Sequence, residues 1–175
     1  MDGRSNRDFE ELALPLLDPL FNFACWLSGD SDEARDLVQE TFAKGLKAFG
    51  SFRSGTNFRA WMFRILRNTF LTSRTGLERR NTSQQDEDGI DEAVVTQETP
   101  ELELIRRADT ELIQGAIAQL PPIFREVVIL ADIEEMRYQE VADALDIPIG
   151  TVMSRLARAR KHLRKHILDT LGKKP

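Results

Sequence analysis

The residues best suited to binding a polyanion lie on one face of a predicted helix, residues 56–74. At about 100° per residue, this face interleaves arginines with rings: Arg59, Phe63, Arg67, Phe70 and Arg74. Guanidinium groups bind phosphates, and flat rings stack on unpaired bases. This face therefore suits single-stranded nucleic acid, although for the helix taken alone packing is the more common explanation. The alternative is packing, in which the two phenylalanines contact a neighbouring helix and the arginines pair with acids.

The other side of this helix has the apolar spacing of a face that packs on a core. Its members are Phe58, Trp61, Met62, Ile65, Leu66 and Thr69. Other elements of the chain must supply that core and hold the basic face outward.

The distribution of charge supports a polyanionic ligand although the net charge of the 175 residues is -5. Residues 53–80 hold 7 basic and 1 acidic side chains, and residues 150–175 hold 8 and 1. Between them, residues 81–103 hold 8 acidic and no basic side chains. Two basic segments are thus separated from acidic ones, which is typical of a protein that binds nucleic acid.

Composition predicts a globular protein of the reducing cytoplasm. With 41% hydrophobic residues the chain can bury one medium core or two small ones. The single cysteine, Cys25, excludes an intramolecular disulfide. No run of 18 apolar residues is present, and the N-terminal residues lack a signal-peptide pattern. We therefore expect no membrane insertion.

Two helical regions are predicted ahead of the basic stretch. Residues 8–27 are apolar but contain Pro15 and Pro19, so we expect a break or restart there. A second helix runs from about residue 31 to 49, with Ser31 as its N-cap. Its polar face includes Asp36, Gln39 and Glu40. On composition alone this is an ordinary solvated face.

Two connecting segments divide the chain. The loop 50–55 contains Phe52, a ring that can plug the space beneath a turn. Residues 81–100 are acidic and lack helical periodicity, which predicts a flexible connector. We therefore expect one domain over 1–80 and another over 101–175.

The second half predicts four helices ending in a helix-turn-helix. Their approximate ranges are 102–119, 124–133, 138–145 and from Thr151 onward. The last two are joined by a tight connection, Asp146 to Gly150, as in a helix-turn-helix.

The outer face of the final helix is basic and suits DNA. Thr151 is the predicted N-cap, where backbone N–H groups can also meet a phosphate. The residues placed to read bases are Met153, Ser154, Ala157 and Arg158. Those placed to hold phosphates are Arg155, Lys161, Arg164 and Lys165. A merely solubilising basic helix would not explain the tight turn before it.

Taken together, these segments resemble the bacterial extracytoplasmic-function sigma factors of the sigma-70 family. The resemblance rests on DEARDLVQETFAKGLKAF, SFRSGTNFRAWMFRILRNTF, the acidic linker, LPPIFREVVIL and YQEVADALDIPIGTVMSRLARARKHL, in that order. It implies an all-α fold of two small helical domains: a sigma-2 bundle and a sigma-4 helix-turn-helix, joined by the flexible acidic linker. It also implies a protein that is no enzyme, needs no cofactor, and gives promoter specificity to core RNA polymerase.

The resemblance assigns roles to single residues. Asp36, Gln39 and Glu40 match a D-x-x-Q-E motif that docks on the clamp helices of the largest polymerase subunit. Phe52 and Asn68 match a pocket for a flipped base of the -10 element, whose extrusion costs a few kcal/mol. The full set expected at the -10 DNA is Phe52, Arg53, Arg59, Phe63, Arg67, Asn68 and Arg74. The helix-turn-helix would read the -35 element, where Met153 replaces the arginine of some members.

The resemblance also implies partners and regulation. Besides core polymerase and promoter DNA, members are commonly held inactive by an anti-sigma factor, often a zinc-containing one, in stress responses.

Two other classes of function compete with this interpretation. A conventional helix-turn-helix repressor or activator accounts for residues 138–167 but leaves the arginine and phenylalanine face unused, and it usually dimerises on palindromic sites. A metal enzyme would rest on His162 and His166, which are four apart, with Asp169 as the third ligand within reach. No HExxH motif, cysteine cluster or phosphate-binding glycine loop accompanies them.

Overall fold

The computed structural model describes the backbone of residues 3–53, 55–78 and 100–172, and the side chains of 6–53, 55–75 and 109–172. Within those ranges the chain forms helices and no strand, which confirms the predicted all-α class. The α-helices are α1 Gly3–Ala13, α2 Leu17–Ser28, α3 Ser31–Ala48, α4 Phe58–Glu78, α5 Pro100–Ala118, α6 Pro122–Val128, α7 Tyr138–Leu145 and α8 Ile149–Leu171. None of these helices is long and apolar enough to cross a membrane.

The first domain begins with the predicted proline break. A short 3-10 turn, Leu14–Leu16, contains Pro15 and separates α1 from α2. Pro19 lies in the first turn of α2, where its missing N–H costs no helical hydrogen bond. Gly29, with φ 72°, then ends α2 in the left-handed conformation that glycine adopts without a Cβ penalty.

Helix α3 starts where the sequence predicts but uses a different cap. The Asp30 carboxylate accepts the Glu33 N–H at 2.7 Å, so Asp30 is the N-cap and the prediction of Ser31 was wrong. The predicted cap is displaced by one residue, because an N-cap has a non-helical backbone: Asp30 is extended, whereas Ser31 is already helical. The buried face of α3 comprises Ala34, Leu37, Val38, Thr41 and Gly45.

Helix α4 buries its apolar side against α2 and α3. The fully covered residues are Ala60, Met62, Phe63, Leu66 and Thr69. At its N-terminus, the Asn57 side-chain oxygen accepts the Ala60 N–H at 2.8 Å and so caps the helix. A cluster of rings surrounds this end: Phe9, Phe49, Phe52, Phe58 and Trp61.

The second domain contains the predicted helix-turn-helix. Helix α6 continues into a π-helical turn, Ile129–Ile133, so the hydrogen bonding of the single helix predicted over 124–133 changes at Ile129. Asp146 is left-handed, with φ 54°, and its N–H bonds the Ala142 carbonyl to end α7. Helix α8 begins after Pro148, which places Thr151 inside its first turn and corrects its assignment as N-cap.

The two domains pack against each other through α4 and α7. Buried residues of both domains belong to one continuous apolar cluster. The predicted linker, residues 81–100, lies outside the described residues except for Pro100, the first residue of α5.

Gly45 on α3 tests the packing of the first domain. A Cβ there would lie 2.9 Å from the Met62 Sδ and 3.2 Å from the Phe9 ring. We expect Gly45→Ala to lower the free energy of unfolding by about 1–2 kcal/mol, because overpacking outweighs the gain in helix propensity. Urea denaturation followed by circular dichroism measures this change.

Gly115 on α5 provides the matched control, since a Cβ there would meet no atom within 4 Å. Gly115→Ala should raise stability by roughly 0.5–1 kcal/mol. Equal effects of the two substitutions would contradict the packing of α3 on α4.

Candidate nucleic-acid interface

The basic face of α4 is turned toward acids of the second domain. Arg67 Nε lies 3.0 Å from Glu126 Oε1, and Arg67 Nη2 lies 3.3 Å from Glu126 Oε2. The two side chains are 20% and 8% exposed. A guanidinium thus faces both oxygens of one carboxylate in a site that is largely shielded from water, where such pairs are strongest.

Arg59 makes a second contact with the same domain. Its Nη2 donates to the Glu134 carbonyl oxygen at 2.7 Å and to the Glu134 carboxylate at 3.2 Å. Burial raises the pKa of the Glu134 carboxyl, and the Arg59 guanidinium and a hydrogen bond to Asn22 offset only part of that effect. Burying the charge of Glu134 is therefore costly even with its partner in place.

Further contacts extend this junction along α4. Arg64 Nε donates to the Asp143 carbonyl oxygen at 2.9 Å. The Asn57 amide donates to one oxygen of Glu140, whose other oxygen accepts the Arg137 N–H at 2.7 Å. The N-terminal ends of α4 and α7 are thereby tied together by the groups that cap them.

The acids that cover α4 were not singled out in the sequence. Glu126 is 6% exposed and Glu134 is 9% exposed, and Glu126 directly precedes the buried Val127 and Val128. A carboxylate within the apolar stretch 124–134 is the signal that could have marked them, because a buried acid requires a partner. Which arginine supplies that partner depends on tertiary packing that the sequence does not express.

The two phenylalanines of the α4 face have different environments. Phe63 is 0% exposed, and its ring centroid lies 5.5 Å from that of Phe23. It belongs to the core, so we remove it from the expected -10 set. Phe70 is half-buried, with the Arg74 guanidinium 5.1 Å from its ring centroid. Arg74 also pairs with Glu33 on α3, at 3.0 Å.

The other residues expected at the -10 DNA lie near the start and the middle of α4. Phe52 is half-buried and packs on Phe49, Phe58 and Trp61, the last at 5.1 Å between ring centroids. Arg53 and Asn68 are exposed. Phe52 thus packs on neighbouring rings, as predicted for a plug beneath the turn, and part of its ring remains accessible to solvent.

The predicted polymerase face of α3 is open. Asp36, Gln39 and Glu40 are all exposed. Glu40 pairs with Lys44 one turn away at 2.7 Å, a surface pair worth little to stability. This face offers two carboxylates and an amide to a basic partner.

The predicted -35 face of α8 is also open. The exposed residues are Met153, Ser154, Ala157, Arg158, Lys161, Arg164 and Lys165, with Thr151 and Arg155 half-buried. Among the described residues, none of these cations has a carboxylate partner. Arg160 differs, because it holds Asp132 at 2.6 Å and thereby fastens α8 to the π-helical turn.

The histidines considered as metal ligands lie on the exposed side of α8. His162 stacks on Phe124, with ring centroids 5.7 Å apart. In the described part of the chain, no group of three or more His, Cys, Asp or Glu side chains could hold a metal ion.

Known protein families match both halves of the chain. The family described as Sigma-70 region 2 matches residues 12–80, and the family described as Sigma-70, region 4 matches residues 110–163. These ranges contain α2 to α4, all of α6 and α7, and parts of α5 and α8.

Curated relatives extend the match over nearly the whole chain. The ECF RNA polymerase sigma factor SigE of Mycolicibacterium smegmatis is 36% identical over 95% of this chain, which spans 64% of that relative's length. The RNA polymerase sigma-H factor of Pseudomonas aeruginosa is 30% identical, with 94% of this chain and 89% of the relative covered.

Solved structures agree in fold. The sigma factor RpoE, in complex with the anti-sigma factor NepR from Bartonella quintana, superposes with a TM-score of 0.77 at 29% identity, covering 97% of this chain and 99% of that one. CnrH, in complex with the cytosolic domain of CnrY, gives a TM-score of 0.65 at 27% identity, covering 94% and 90%.

Proposed function

Since the chain belongs to the extracytoplasmic-function sigma factors of the sigma-70 family, we propose that it binds core RNA polymerase and directs it to specific promoters. The observation that carries this proposal is the open basic face of α8 behind a tight turn, together with the open acidic face of α3. A repressor would need only the first of these faces. The protein would act in the cytoplasm, as a DNA-binding regulator and not as an enzyme.

Helix α3 is the proposed attachment to polymerase. Asp36, Gln39 and Glu40 lie on one exposed side of a helix whose other side is fixed in the core. A rigid helix that presents carboxylates in this way suits basic residues on the clamp helices of the largest subunit.

Charge reversal on α3 tests this attachment. Asp36→Arg combined with Glu40→Arg should reduce binding to core polymerase at least tenfold, because four units of charge change at the interface centre. Biolayer interferometry with immobilised core enzyme measures the affinity. The matched control is Asp8→Arg with Glu11→Arg, which reverses two exposed acids on α1. If the α3 variant bound core polymerase with wild-type affinity, α3 would not be the attachment to polymerase.

The -10 element is the proposed ligand of the α4 region. Exposed Asn68 and half-buried Phe52 supply an amide and a ring for a flipped base, and Arg53, Arg59, Arg67 and Arg74 supply cations for the melted strand. Phe63 takes no part, since it is in the core.

The -35 element is the proposed ligand of α8. Met153, Ser154, Ala157 and Arg158 lie in its N-terminal half, which enters the major groove in a helix-turn-helix. Met153 is 54% exposed and offers an apolar contact in place of a hydrogen bond. The cations that follow would hold the phosphate backbone.

Substitution of Arg158 tests whether this residue contacts a base or only the phosphate backbone. Arg158→Ala should cost roughly 1–3 kcal/mol on the cognate -35 duplex and less on random DNA. Lys161→Ala is the comparison, because a phosphate contact weakens binding to all sequences alike and lowers its salt dependence. Fluorescence anisotropy measures the affinity of each variant for both duplexes. An equal loss on the two duplexes for Arg158→Ala would show that Arg158 reads no base.

An anti-sigma factor is the proposed regulator. One structural relative, the sigma factor RpoE, was solved with the anti-sigma factor NepR, and another, CnrH, was solved with the cytosolic domain of CnrY. We propose that an anti-sigma factor also binds and inhibits this chain, as part of a stress response.

A further inference from the structure

We propose that an apolar ridge on α8, formed by Ile149, Met153 and Ala157, recognises thymine by contact with its C5-methyl group in the major groove. Met153 makes the main contact. The inference rests on the proposed function, in which α8 enters the groove of a -35 duplex, and it adds the base that this part of the helix selects. The spacing and exposure of the ridge are observed independently of that function.

The ridge consists of apolar residues at intervals of four on the exposed side of α8. Ile149 is 44% exposed and Met153 is 54% exposed, and Ala157 is exposed one turn further on. Side chains four apart in a helix lie one above the other, so the three form a strip about 12 Å long. Single exposed apolar side chains are ordinary, whereas a contiguous strip with a polar rim is typical of a binding surface.

The surroundings of the ridge indicate that its partner is a polyanion. Arg158, Lys161, Arg164 and Lys165 are exposed on the same helix, and no described carboxylate pairs with any of them. The partner must therefore present negative charge and an apolar group side by side. Duplex DNA does so, because phosphates border the major groove and the thymine methyl is the apolar group that base pairs display there.

Met153 has a fixed backbone and an adaptable side chain. The adjoining Val152 and Leu156 are 0% and 1% exposed and anchor this turn of α8 in the core. The Ser154 hydroxyl donates to the Thr151 carbonyl oxygen at 3.1 Å, so it is engaged within the helix. Met153 has the longest side chain of this turn, and its unbranched thioether can adjust to the position of a methyl group.

Replacing single thymidines of the duplex by deoxyuridine tests the contact, because uracil lacks the methyl group and keeps every hydrogen-bonding group and charge. The duplex is selected from random-sequence duplexes by the full chain bound to core polymerase. Fluorescence anisotropy then measures the affinity of this complex for each uracil-containing duplex. We expect uracil at one or two positions of the -35 element to weaken binding about threefold to fivefold each, the effect of one buried methyl group.

Met153→Ala assigns the methyl contact to its side chain. In this variant, uracil at the position read by Met153 should weaken binding by less than about 1.5-fold, because the methyl group has already lost its partner. Leu168→Ala is the matched control, since it truncates another apolar side chain of α8 that is 57% exposed but lies in the C-terminal half. It should keep the full loss on uracil. Both positions are exposed, so both variants should fold.

Two results would overturn the methyl contact. One is a scan in which uracil at no position of the -35 element changes the affinity. The other is an equal uracil loss in wild type and Met153→Ala, which would mean that another group reads the methyl. If the scan is flat and Met153→Ala also weakens binding to core polymerase, the ridge contacts a protein instead.

Failure of the proposed function would give a different result. A chain that does not bind core polymerase but selects a common sequence by itself would contradict a sigma factor, and the uracil scan on that sequence would still test the ridge. A chain that selects no common sequence in either form would contradict both proposals.

Discussion

The positive charge on α4 is the constraint on which the rest of the structure depends. Arg59, Phe63 and Arg67 follow one another at intervals of four residues on one face of this helix, and Phe63 is buried, so both arginines lie beside the core. Guanidinium groups so close to a domain junction need anionic partners. Those partners are the carboxylates of Glu126 and Glu134.

The same constraint explains why the two predicted DNA surfaces differ in availability. Helix α8 is anchored by Val152, Leu156 and Ala159, and its cations point away from both domains. Helix α4 lies at the junction between the domains, so its cations contact acids of the second domain.

Local signals predicted much of this fold. Prolines, glycines and apolar spacing placed α7 over Tyr138–Leu145 and the break at Pro15, because these depend on neighbouring residues alone. The capping residues were off by one to three positions at Ser31 and Thr151. Several nearby side chains can satisfy the same N–H groups, and backbone dihedral angles decide among them. Phe63 was ambiguous because a ring at that spacing suits a core or a stacked base. The contact of Phe63 with the buried Phe23, which only the folded structure shows, identifies Phe63 as a core residue. The pairs of Arg59 and Arg67 join residues 75 and 59 positions apart, and no local pattern encodes them.

Transcription with purified core polymerase, on sheared genomic DNA of the source bacterium, tests the central claim most directly. The 5′ ends of the RNA products would be mapped with and without the chain. If the chain is a sigma factor, new start sites should share two sequence elements at a constant separation and should vanish without the chain. Start sites unchanged by the chain, together with tight site-specific binding of the chain alone, would contradict a sigma factor and favour a repressor.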